Sequence, residues 1–192
     1  MSHPGFGSDL PAVFPDWSPY PDLDSAARAY LRDPDLALEA LGGVLAGASV
    51  LSFTLERFVN ETNGVWQEVA ACDGTRLVLW HGEDVAPGEG PAGSMTSSIR
   101  VLPLSVVAEV GTRRRLQRTP DGGVRVDAVD VYVLLTSFDD SPGPPTSGDD
   151  RGPLVRQDAL RFVKTLEDGG PGQIARLEDF ARTVSALVGR PL

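Results

Sequence analysis

Apolar residues recur along this chain with two periods, and the switches between them lay out its elements. Leu36, Ala37, Ala40, Leu41, Val44 and Leu45 share one helical face behind Asp33-Pro34, where a first-turn proline is tolerated. A shorter helix is expected just before it, capped by Asp24 or Ser25 and running through Tyr30, while Gly42-Gly43 weakens the end of the second. From Ser49 the period falls to two. Leu51, Phe53 and Leu55 alternate with Ser52, Thr54 and Glu56, and the run reaches Val59 before the hairpin dipeptide Asn63-Gly64. Val65 to Cys72 is the return strand, and Asp73-Gly74 is a second candidate for a type I′ turn. The third strand, Arg76 to Gly82, places Leu77 and Leu79 on one face and Val78 and Trp80 on the other.

Four further strands are expected: Met95 to Leu102, Ser105 to Gln117, Val124 to Phe138 and Leu154 to Leu166. Pro103 marks an edge or bulge, and Thr119-Pro120-Asp121-Gly122-Gly123 closes a turn. In the sixth strand Val124, Val126 and Ala128 share a face, yet Val129, Val131, Val133 and Leu135 lie in the opposite phase. A central strand or a register shift near Asp130 explains that. In the seventh, Leu160, Phe162 and Leu166 are set against Arg161 and Lys164. The period then returns to 3.6: Ile174, Leu177, Ala181, Val184 and Leu187/Val188 form a stripe with Phe180 at its edge. Gln173, Arg176, Glu178, Asp179, Arg182 and Ser185 lie opposite, and Pro171 and Gly189 punctuate the ends.

Residues 1–22 are rich in Pro, Gly and Ser and interleaved with Phe6, Phe14, Trp17 and Tyr20, which predicts an extended arm. Two readings of it are open: a strap across the domain's own surface, or a peptide that docks on a partner. The segments 86–94 and 139–153 have too little apolar content to order themselves and are expected as mobile loops. Residues 23–192 then make a single domain with helices over 23–47. The fold class is α+β: a bent antiparallel seven-stranded sheet or partial barrel, with an N-terminal helical segment and a C-terminal amphipathic helix as its cap. This element order resembles the pleckstrin-homology-like superfold over about residues 48 to 188. The helix, Ser52 to Glu61, the Trp66 to His81 pair, the Gly/Pro/Ser loop and Ile99 to Val110 also resemble an uncharacterised actinobacterial family in which some members are labelled phosphodiesterase.

Charge narrows the choice of partners. The 192 residues carry a formal net charge of −10, with an isoelectric point near 4.6, which argues against nucleic acid and against a broadly anionic surface as partner. No targeting segment or stable membrane insertion is expected, and the default location is cytoplasmic. One cysteine, Cys72, excludes an intramolecular disulfide, and its turn position with no nearby His or Lys points to a structural thiol.

The chain lacks a nucleophile elbow, a P-loop, a dinucleotide-binding glycine turn and a His-Glu-x-x-His motif. His81 and Asp84 end a strand beside a flexible loop, and with Asp127 and Asp130 they are the candidate metal ligands of a metal-dependent phosphodiesterase. Asp139-Asp140 and Asp149-Asp150 lack the calcium-loop spacing. The one basic cluster is Arg113, Arg114, Arg115 and Arg118. The pleckstrin-like resemblance implies a phosphate or acidic-peptide site there, and the alternative is an edge strand protected by charge or paired with the chain's own carboxylates. The leading expectation is a non-catalytic binding or scaffold module without a cofactor. It would hold a peptide, a protein partner or a small anionic ligand at a sheet edge or in the groove between the last helix and strands five to seven. The metal-dependent phosphodiesterase is the alternative.

Overall fold

The computed structural model describes residues 14–60, 63–136 and 159–189. Phe6 of the arm, Phe138, the expected loop over 139–153 and the strand segment 154–158 lie outside these described residues. Helix α1 (Leu23–Tyr30) is capped by Asp22, whose carboxylate accepts the Ser25 N–H at 2.8 Å, so the helix begins ahead of the cap expected at Asp24 or Ser25. Helix α2 (Pro34–Leu45) ends with Ala46 and Gly47 both in the left-handed region, at φ 48° and 83°.

Strands β1 (Ser52–Val59), β2 (Val65–Cys72), β3 (Arg76–Asp84) and β4 (Met95–Pro103) form an antiparallel meander. At the β2–β3 turn Gly74 alone has a positive φ, 97°. That is the signature of type II′ rather than the expected type I′, which needs both central residues there. Asp73 locks this turn by accepting the N–H groups of Thr75 and Arg76. The segment 86–94, expected to be mobile, is folded into turns closed by Val85 N–H to Ser94 C=O and Ser94 N–H to Pro91 C=O.

The ladder then stops. Pro103 lacks an N–H, and the 3-10 turn Leu104–Val106 rotates the chain into a second sheet of β5 (Val107–Arg118), β6 (Val124–Leu135) and β7 (Ala159–Thr165), in the order β5-β6-β7. Among the described residues the seven antiparallel strands therefore divide into sheets of four and three, where a single bent sheet or a partial barrel was expected. The phase change in β6 is a bulge: Arg115 pairs with Ala128 and Leu116 with Val126, which leaves Asp127 as the extra residue.

Sheet β1–β4 is covered on both sides. Phe53, Leu55, Val69, Ala71, Val78 and Trp80 face α1 and α2, whereas Ala70, Cys72, Leu77 and Leu79 face the second sheet and helix α3 (Gly170–Leu187). This is why β3 reads as apolar on both faces. The expected stripe of α3 is buried, with Leu177, Phe180 and Val184 wholly inaccessible; Gln173, assigned to the polar face, is wholly buried too. The described part of the arm is a strap: Trp17 is inaccessible, and its ring meets Tyr30 of α1 and Phe53 of β1 edge-on or tilted. Arg176 of α3 lies over both Trp17 and Phe53, and its terminal nitrogen donates to Tyr20 C=O at 3.4 Å.

Candidate functional site

Strand β5 is exposed along most of its length. Beyond Thr112 it and the start of β6 are exposed on both faces, so the β5–β6 hairpin leaves the body as a two-stranded ribbon. Its turn is built by Thr119: its N–H donates to Gly123 C=O and its C=O accepts from Gly122 N–H, with Gly122 at φ 85°. This is a three-residue loop whose left-handed glycine restores the ribbon twist. Residues 112–126 hold five arginines against one aspartate, in a chain of net charge −10.

The arginines fall on two faces. Arg114 turns to α3, where Glu178 accepts its Nε–H at 2.6 Å. Arg115 donates to Asp127 at 2.6 Å, the residue that the bulge presents. Arg113 stands across the ladder from Asp130, a carboxylate that Arg161 of β7 holds with two hydrogen bonds. Arg118 is exposed beside the turn. Pairing with the chain's own carboxylates thus accounts for Arg114 and Arg115, but the donors are 55% and 65% exposed, and pairs in that environment are worth roughly 0–1 kcal/mol.

Between β5 and α3 runs a groove of about 420 Å³, lined by Val110, Thr112, Arg114, Glu178, Ala181, Arg182 and Ser185. Beside it β5 pairs with β6 alone, and among the described residues no strand occupies its other edge. Glu178, Arg182 and Ser185 recur at four and three residues, so their shared face was legible in the sequence. That it meets β5 was not. A larger cavity of about 750 Å³ lies among Pro103, Leu104, Val107, Leu187 and Val188, and no titratable side chain lines it.

His81, Asp84, Asp127 and Asp130 are not brought together. His81 and Asp84 point to opposite faces of β3. His81 Nε2 lies 3.5 Å from Glu83 and its ring 5.1 Å from that of Trp66, which stacks in turn on Phe58. Asp84 is clamped by both terminal nitrogens of Arg32 at 2.6 Å and accepts the Val65 N–H; the guanidinium holds its carboxyl down at about 2. Asp127 and Asp130 are held by arginines of the second sheet. Among the described residues no group of three or more His, Cys, Asp or Glu side chains has the arrangement of a metal site.

Sequence reasoning missed a buried polar junction between the sheets. Lys164, the chain's only lysine, shares the inward face of β7 with Leu160 and Phe162 and is 4% exposed. Burial lowers its pKa, and its ammonium lies 5.4 Å from the centre of the Tyr30 ring. Glu56 of β1 accepts the Val163 N–H at 2.6 Å, so a side chain caps the edge of β7 where a neighbouring strand would. Burial raises its pKa, with Lys164 opposing. Beside it in the ladder Glu68 is pushed to about 7, first by burial and then by Glu56. No helix among the described residues is long and apolar enough to cross a membrane. Set against known proteins, the chain matches no family model, no curated protein and no solved structure.

Proposed function

We propose that this protein is a non-catalytic binding module that takes an extended acidic or phosphorylated segment of a partner protein along the free edge of β5. The observation that carries the reading is the coincidence of that open edge with the β5–α3 groove and its two arginines, Arg114 and Arg182. An edge strand offers a row of backbone donors and acceptors to an added strand, and the groove beside it receives alternate side chains. Arg182 is 73% exposed and pairs with Asp179 on its own helix, so a ligand carboxylate or phosphate exchanges into that pair with little loss. A meander of four strands, three more strands and a closing helix is also the element order of the pleckstrin-homology-like superfold, and we adopt that likeness as part of the proposal. The dispersal of His81, Asp84, Asp127 and Asp130 gives the phosphodiesterase alternative no support of its own.

The test is fluorescence anisotropy with a labelled ten-residue peptide of alternating glutamate and threonine. Binding is expected at low ionic strength and should weaken steeply as salt rises through physiological values, because the contacts are exposed. Arg114→Glu with Arg182→Glu should abolish it while leaving the melting temperature within a few degrees. No binding at low salt, or binding indifferent to both substitutions, sinks the proposal.

A further inference from the structure

The ribbon beyond the groove carries a more specific message, and we infer that its ligand places an acidic, an apolar and an acidic residue at alternate positions, opposite Arg114, Leu116 and Arg118. This rests on the β5-edge reading and adds the ligand's sequence pattern to it. Even-numbered residues of β5 share the face that Arg114 presents to α3, so Arg114, Leu116 and Arg118 form one row. Leu116 is 59% exposed there, and Val124, across the ladder from Arg118, is also 59% exposed. These two apolar side chains are exposed side by side on a ribbon outside either core, and arginines bracket them.

Backbone phase puts the same residues at the edge. The Thr119 N–H to Gly123 C=O bond makes Thr119–Gly123 a hydrogen-bonded pair, so Arg118–Val124 is a non-hydrogen-bonded pair, Gln117–Arg125 is bonded and Leu116–Val126 again is not. Residues of non-bonded pairs turn their own N–H and C=O away from the partner strand. Leu116 and Arg118 therefore offer their backbone groups to an added strand, and the side chain directly opposite each is set by the register. Arg118 calls for a carboxylate and Leu116 for an aliphatic group. The opposite face, Arg113 and Arg115, favours further acidic residues at the intervening positions but supplies no apolar partner.

Two alternative occupants fit less well. A second copy pairing β5 with β5 antiparallel would bring together two ribbons that each carry five arginines against one aspartate, and their like charges repel. An anionic membrane would meet the loop first, and Pro120-Asp121-Gly122 presents a carboxylate and no large apolar group.

The experiment uses the whole chain and two labelled seven-residue peptides of identical composition. One has glutamate at positions two and six, valine at four and threonine elsewhere. The isomer exchanges the valine with the glutamate at position six. The first is expected to bind about tenfold more tightly, as two matched cross-strand pairs imply. Leu116→Ser should bring the first peptide down to the affinity of the isomer, and Arg118→Glu should abolish it. Both side chains are exposed, so circular dichroism should show an unchanged fold. Equal affinities for the two peptides overturn the pattern while leaving an acidic-segment module standing. Failure of both, with alternating glutamate–threonine also unbound, removes the module itself. Saturable binding of vesicles of one part phosphatidylserine to three of phosphatidylcholine, lost in Arg118→Glu while both peptides stay unbound, would overturn the inference in favour of a lipid surface.

Discussion

Glu68 shows how far one position in a ladder alters a side chain's chemistry. It lies across from His81 and beside Glu56 on the inward face of β1–β3, partly covered, with Arg100 the nearby charge that opposes the upward shift of its pKa to about 7. A carboxyl whose folded pKa exceeds its unfolded value binds a proton more tightly when folded. Its stabilising contribution is complete below about pH 4.5 and is lost as pH rises through about 7, and the full span is on the order of 3 kcal/mol. Glu68→Gln should therefore raise the melting temperature at pH 7.5 and leave it nearly unchanged at pH 4.5. Equal effects at both pH values would show that the carboxyl is solvated. Lys164 makes the converse point: the face it shares with Leu160 and Phe162 turns it inward, and a reading by residue type alone put it in solvent.

At the scale of elements, α3 and the second sheet depend on each other. The helix packs against β1, β5, β6 and β7, so a charge on its stripe lands among the apolar side chains of the shared core. Leu177→Asp or Val184→Asp should abolish the cooperative thermal transition, since a buried unpaired carboxylate costs several kcal/mol. A melt within a degree or two of the parent would contradict the packing. In the sheet, Gly111 sits across from Tyr132, whose ring covers it; a Cβ there would come within 2.0 Å of the ring. Tyr132 in turn donates its hydroxyl to Glu109 at 2.9 Å. Gly111→Ala should cost roughly 1–3 kcal/mol by displacing the ring, and the penalty should shrink in a Tyr132→Ala background. An undiminished penalty would place the strain in the backbone instead.

At the scale of the whole molecule, two apolar clusters share one sheet, and the strap joins the helices on its two sides. Trp17 packs with Tyr30 and Phe53 in one cluster, while Ser18 lies against Gly172 at the start of α3, where a Cβ would meet its hydroxyl at 2.1 Å. Trp17→Ala should lower stability by about 3–5 kcal/mol. By hydrogen exchange it should loosen both α1 and the first turns of α3. A response confined to α1 would mean that the strap does not join the two sides.

The local content of the chain determined much of this. Proline and aspartate at helix starts, glycines at turns and the change from period 3.6 to 2 and back give three helices and seven strands, because those signals act within a few residues. The stripe of α3 and the apolar faces of β3 were readable for the same reason, whereas the phase change in β6 left a central strand or a bulge open, and the ladder decided for a bulge at Asp127. Other features depend on residues far apart in sequence. Only the tertiary structure decided that the strands break into two sheets at Pro103, that Lys164 and Gln173 lie inside, and that the strap folds back on its own domain. It also decided that His81, Asp84, Asp127 and Asp130 each meet a different neighbour, and that Arg114 meets Glu178 across 64 positions. Alternation tells which residues share a face, but not which other element will cover that face. That pairing is settled by the packing of whole elements, and here it left Leu116 and Val124 exposed on the ribbon, with no strand on the outer edge of β5 among the described residues.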